Sequence, residues 1–292
     1  MRWQGRRSSS NVSSGGRGRA AAGVGGAGLL IGLIIFLATG NPYLALTLVR
    51  GTQSLQQNYP SGQVQEIRLT ANEEELYKYS GVVLADTEDT WHELLPSYGY
   101  TYTEPRLLIF QESIKTGCGL ADKGVGPFYC GADQRIYMDL SFYQMLVNKF
   151  HAHEGDFVMS YVISHEVGHH VQNQMGILNQ VHRQQARLSK AQANELSVRL
   201  ELQADYLAGV VAHYQEKQGY LEDGDIENAI RTAWVIGDDA IEKRVQGRVT
   251  PESFTHGTSE QRTRWFKKGY EAGDLSGFDT FDTAKYPRAS DL

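Results

Sequence analysis

The sequence predicts an α+β fold, mainly helical with a small β-sheet, preceded by one transmembrane helix. Three observations carry this. Two short strand-like runs come before a long succession of proline-free helical segments, a charge-free stretch runs from Ala20 to Gly40, and charge is divided unevenly along the chain. With 292 residues, 41% hydrophobic and 10% aromatic, the chain is neither fibrous, disulfide-dense nor globally disordered. Its formal charge of −6 argues against a nucleic-acid partner. Residues 1–40 hold five arginines and no acid, so the rest carries 23 basic against 34 acidic side chains, a net −11.

Residues 1–19, with Arg2, Arg6, Arg7, Arg17 and Arg19, read as a basic cytoplasmic tail, and 20–40 as the transmembrane helix. About 20 helical residues span a bilayer core, and the positive-inside rule puts everything after Gly40 on the far face. A buried soluble helix and a signal peptide cleaved near Ala38-Thr39-Gly40 are the rival readings. Residues 41–65, rich in Gln, Ser, Gly and Pro, form a juxtamembrane spacer.

Residues 66–275 form the main domain. Asn72 is a candidate N-cap for a helix reaching to about residue 96; Pro105 opens the strand RLLIFQES, and Arg135 to Leu140 form a second strand. Cys118 and Cys130, the only cysteines, are expected to form a disulfide if the domain lies in an oxidising compartment, and to be packed thiols otherwise. Helices are expected over 141–150, 156–175, 177–217, 225–245 and 259–269. The polar residues 276–292 read as a poorly ordered tail.

The segment DFVMSYVISHEVGHHVQNQM holds His165-Glu166-Val167-Gly168-His169. Histidines at i and i+4 share one helix face, so both imidazoles can reach one ion, while Glu166 beside them can take a proton from an attacking water and return it to a departing amine. Composition alone would produce this pattern in roughly 2% of shuffled chains. Gln172 and Met175 exclude the variant with a third histidine on the same helix. The favoured third ligand is Glu201, with Asp205 one turn on, placed to hold a ligating imidazole; Ala204, Ala208 and Gly209 between them permit close helix approach. Glu195, His182 and His213 are rivals, whereas His170, His151 and His153 read as structural or solvated.

HEVGHHVQ, ELQADYLAG and THGTSEQR, together with GCG, GPFYC and IYMDL, resemble the bacterial neutral zinc metallopeptidases, which carry an N-terminal membrane anchor and are similar to gluzincins. The resemblance covers essentially the whole chain and implies a zincin-like domain holding one Zn2+ through His165, His169 and Glu201, with Glu166 as general base and Asp205 behind a ligand. It also implies a bacterial inner-membrane location, with the catalytic domain periplasmic or extracellular. His256 is a candidate oxyanion donor, with Tyr206 and Arg262 as alternatives and a helix-entry role as the plain reading. The expected activity is membrane-anchored, zinc-dependent endopeptidase action on protein or peptide substrates. A catalytically silent zinc-binding anchor and an amidase acting on cell-wall peptides are the competing expectations.

Overall fold

The run Leu107 to Phe110 is apolar without a break, as a strand buried on both faces requires, and it lies at the centre of the sheet. The computed structural model describes residues 1–15 and 69–292 except 112, 123, 140–141 and 144–156. The expected transmembrane helix and spacer, the helix over 141–150 except residues 142–143, and His151 and His153 therefore lie outside the described residues. Among the described residues, no helix is long and apolar enough to cross a membrane.

Along the chain come β1 (Val12–Ser14), α1 (Ala71–Leu94), β2 (Arg106–Phe110), β3 (Ser113–Thr116), β4 (Gly119–Asp122), β5 (Phe128–Cys130) and β6 (Arg135–Asp139). There follow α2 (Phe157–Gln174), α3 (Ile177–Gln185), α4 (Lys190–Lys217), α5 (Asp225–Val235), α6 (Asp238–Gln246) and α7 (Ser259–Ala272). The sheet order is β1-β2-β6-β5; β1, β2 and β6 run parallel, and β5 closes one edge antiparallel to β6. Strand alternation divides the core. Leu107, Ile109, Ile136 and Met138 join the main cluster with the helices, whereas Leu108, Phe110, Phe128 and Tyr137 pack with Ala121 and Val125 on the opposite face. Cys118 and Cys130 are joined as a disulfide next to β5.

Several boundaries differ from expectation for local reasons. Thr70, not Asn72, caps α1, because Glu73 three residues on completes a reciprocal capping box. The helix expected over 177–217 is two helices, since Ser189 and Gln192 form a second capping box that starts α4 afresh. Gly237 divides the helix expected over 225–245 into α5 and α6.

Both ends of the chain correct the domain limits. Residues 1–15 are not a free basic tail. Met1 is 7% exposed, β1 extends the sheet, Arg6 pairs with Asp86, and Arg7 pairs with Glu88 and Asp89 on α1. Nor is 276–292 loose. Buried Arg199 donates to the carbonyls of Thr280 and Tyr286, Trp265 donates to that of Leu292, and Thr280 and Leu292 are fully buried. Satisfying the Arg199 guanidinium with backbone carbonyls orders a segment whose own composition is polar.

Candidate metal centre

Helix α2 is buried nearly all round, so the polar side chains it carries are forced into contact with groups on its neighbours. Gly168 sets the spacing to α4. A Cβ there would stand 3.1 Å from the Ala204 carbonyl oxygen and 3.2 Å from its Cα, closer than side chains normally approach. Helix α7 packs on the other side of α4 through Gly209 and Gly269, where a Cβ would overlap the backbone of Phe266 and of Tyr206 respectively. These contacts bring α2, α4 and α7 together around one cluster.

At its centre His165 Nε2 lies 3.1 Å from Glu201 Oε2, and His169 Nε2 lies 3.4 Å from Glu201 Oε1. One donor atom from each of the three residues falls within 4.8 Å of the others. The other nitrogen of each ring is engaged: His165 Nδ1 with Asp205 Oδ1 at 2.9 Å, and His169 Nδ1 with Gln172 Oε1 at 2.9 Å. Both acceptors call for the Nδ1–H tautomer, which leaves two Nε2 lone pairs facing one carboxylate. Donors about 2.0–2.1 Å from a tetrahedral zinc stand about 3.3 Å apart, so the donor set fits that ion. Its electrostatics agree. Burial opposes charge on His165, yet Asp205 and Glu201 outweigh it and raise the imidazole to about 10. Burial likewise opposes ionisation of Glu201, but His169, His256 and His165 hold it well below the carboxylate range. The cluster is built to hold positive charge.

Behind the ligands stands a second layer. Arg262 clasps Asp205 through Nε to Oδ2 at 2.8 Å and Nη2 to Oδ1 at 2.9 Å, and Tyr161 donates to Oδ1 at 2.6 Å. Gln172 in turn donates to the Leu200 carbonyl at 2.7 Å and to Gln203 Oε1 at 3.1 Å, tying His169 to α4.

Glu166 is 8% exposed beside these ligands and accepts from the backbone N–H of Tyr129 on β5. Burial pushes its carboxyl up, against the pull of His169 and His165. His256 lies within electrostatic reach of Glu201. Its Nδ1 meets Thr255 Oγ1 at 3.0 Å and Asp238 Oδ1 at 3.2 Å. Asp238 also holds the loop, accepting from the backbone N–H of Thr255, His256 and Gly257 at 2.7, 2.7 and 3.1 Å. Burial pushes Asp238 up to about 7, whereas burial lowers His256 to about 4.

The structure thus brings together His165, Glu166, His169, Glu201, Asp205 and His256. Of the two oxyanion alternatives, Arg262 is engaged with Asp205, and the Tyr206 hydroxyl accepts from Gly277 N at 3.2 Å. The rival ligands fall away as well, since Glu195 is exposed at the start of α4, His213 bonds the Tyr270 carbonyl, and His182 is exposed on α3. His170 is structural, held between Tyr129 and the Thr103 carbonyl. Gln172 and Asp238 went unrecognised in the sequence. The position of Gln172, three residues past His169 on the same helix face, was the available signal; Asp238 offered none, because its loop partners are remote in sequence.

The profile of the family described as "Putative neutral zinc metallopeptidase" matches residues 1–281. The chain is 46% identical to the uncharacterised YpfJ protein of Escherichia coli over 290 residues, 96% of this chain and 99% of that one. It is also 44% identical over 204 residues to uncharacterised proteins of Mycobacterium bovis and Mycobacterium tuberculosis, covering 66% of this chain and 67% of each relative. No solved structure shows significant similarity. On the match over nearly its whole length, the chain belongs to the neutral zinc metallopeptidase family.

Proposed function

We propose that the protein is a zinc-dependent endopeptidase in which His165, His169 and Glu201 hold one ion and Glu166 is the general base. The observation that carries this reading is the juxtaposition of a buried carboxylate, Glu166, with a three-donor set whose free atoms converge. A purely structural site has no use for that carboxylate. Zinc supplies Lewis acidity, lowering the pKa of an attacking water toward ~7 and polarising the peptide carbonyl. Glu166, raised by burial, takes the proton from the water and returns it to the leaving nitrogen. Asp205, clasped by Arg262 and Tyr161, keeps His165 in one tautomer and orientation, and Gln172 does the same for His169.

His256 serves the developing oxyanion. When the Thr255 hydroxyl or a protonated Asp238 donates to Nδ1, the neutral ring carries its hydrogen on Nε2 and becomes a donor. The burial that raises Asp238 to about 7 favours that arrangement near neutrality.

The test compares the full-length protein with Glu166→Gln and Glu201→Ala for bound zinc and for cleavage of a casein-derived peptide library. Glu166→Gln is expected to keep zinc and lose about 10²–10⁴-fold in rate. Glu201→Ala is expected to lose zinc. Wild type that retains zinc but cleaves no peptide would overturn the peptidase assignment.

A further inference from the structure

The buried carboxylates of α1 that take no part in the metal site face the first residues of the chain. Asp86 is 2% exposed, and burial pushes it up to about 6; Arg6 and Gln215 supply its partners. Glu88 is also 2% exposed, and it accepts from Arg7 at 2.9 Å and Asn11 at 3.0 Å and pairs with Ser9. Arg7 also donates to the Ala85 carbonyl at 2.7 Å, and the Arg6 guanidinium stacks over the Tyr220 ring at 3.3 Å. Beyond these charges, β1 pairs in parallel with β2, Trp3 packs edge-on to Tyr79, and Arg2 N donates to the Tyr220 carbonyl at 2.8 Å. Residues 1–15 thus fill an acidic surface made by α1, β2 and the end of α4. Without them, Glu88 loses Arg7, Ser9 and Asn11, Asp86 loses its cationic partner Arg6 and keeps Gln215, and the β2 edge of the sheet is left unpaired.

We infer that residues 1–15 and the catalytic domain form one folded unit and therefore lie on the same side of any membrane the chain touches. A helix at 20–40 crossing once would put the arginines in one compartment and the domain in another, and none of the contacts above could form. The positive-inside rule suggested a cytoplasmic tail, but Arg6 and Arg7 are both matched by acids from the domain itself. The inference does not depend on the peptidase reading, because none of the residues it uses belongs to the metal cluster.

Two measurements on the full chain test it. In the first, the variants Gln4→Cys and Arg187→Cys, each adding one thiol at an exposed position beside the Cys118–Cys130 disulfide, are labelled in spheroplasts with a membrane-impermeant maleimide and again after lysis, and labelling is read at the introduced cysteine. The labelled fraction before lysis is expected to be the same at the two sites, whichever compartment they occupy. Labelling of one site with protection of the other would overturn the inference. In the second, the double variant Arg6→Ala/Arg7→Ala is expected to lower the thermal midpoint of the purified protein by about 5 °C or more. An unchanged midpoint would show that the segment is not docked and would equally overturn it, while peptide hydrolysis by the wild type would still report separately on the metal site.

Discussion

Gln172 shows how much of a candidate metal site lies outside its motif. Its amide oxygen fixes the Nδ1–H of His169 while its nitrogen is held by the Leu200 carbonyl and Gln203 on α4. Gln172→Ala removes that orientation without touching a ligand, so zinc affinity is expected to fall about 10–100-fold, as read by competition with a chromogenic chelator. The HExxH residues, Glu201 and Asp205 were legible because helical periodicity puts i and i+4 on one face. Glu201 differs from Glu195 in which turn of α4 faces α2, and the close packing of Gly168 against Ala204 sets that turn.

At the level of elements, the three-helix arrangement rests on glycines where backbones meet. Gly269→Ala would drive a methyl group into the Tyr206 carbonyl across the α4–α7 contact. Because both partners are backbone, neither can rotate away, and a loss of about 1–3 kcal/mol or more is expected in denaturant unfolding. The displacement also moves Arg262 relative to Asp205, so weaker zinc retention should accompany it. The strands at 106 and 135 and the run of helices were readable from periodicity, whereas β1, β3, β4 and β5 were not. Three- and four-residue strands carry too few residues to show alternation, and they exist because a neighbouring strand offers an edge.

For the molecule as a whole, the docked N-terminus makes stability depend on pH. Asp86 rises from its ordinary 3.8 to about 6 on folding, so its neutral form is favoured in the folded chain and stability falls as pH rises through this interval. Asp89 on the same helix adds to the penalty, while Arg6 from the N-terminus and Gln215 from α4 offset it. Removing Arg6 should therefore matter most when Asp86 is charged. The drop in thermal midpoint caused by Arg6→Ala is expected to be larger at pH 8 than at pH 5, as measured by calorimetry at fixed ionic strength. An equal drop at both values would mean that Arg6 acts only through its stacking on Tyr220.

By itself, the sequence determined where the candidate site's core residues lie. His165, Glu166 and His169 sit within one turn of a helix, so their proximity follows from 3.6-residue geometry and needs no tertiary information. It also determined the α+β class, because periodic apolar patterning is a local property. Only the tertiary structure decided which residues stand behind His165 and His169, that Arg262 bonds Asp205 and Tyr206 bonds Gly277, and that both ends of the chain pack on the domain. Those outcomes depend on pairings between residues far apart in sequence, such as Arg6 with Asp86 and Arg262 with Asp205. An arginine or a polar tail has the same composition whether it meets water or a buried carboxylate, and only the folded arrangement distinguishes the two.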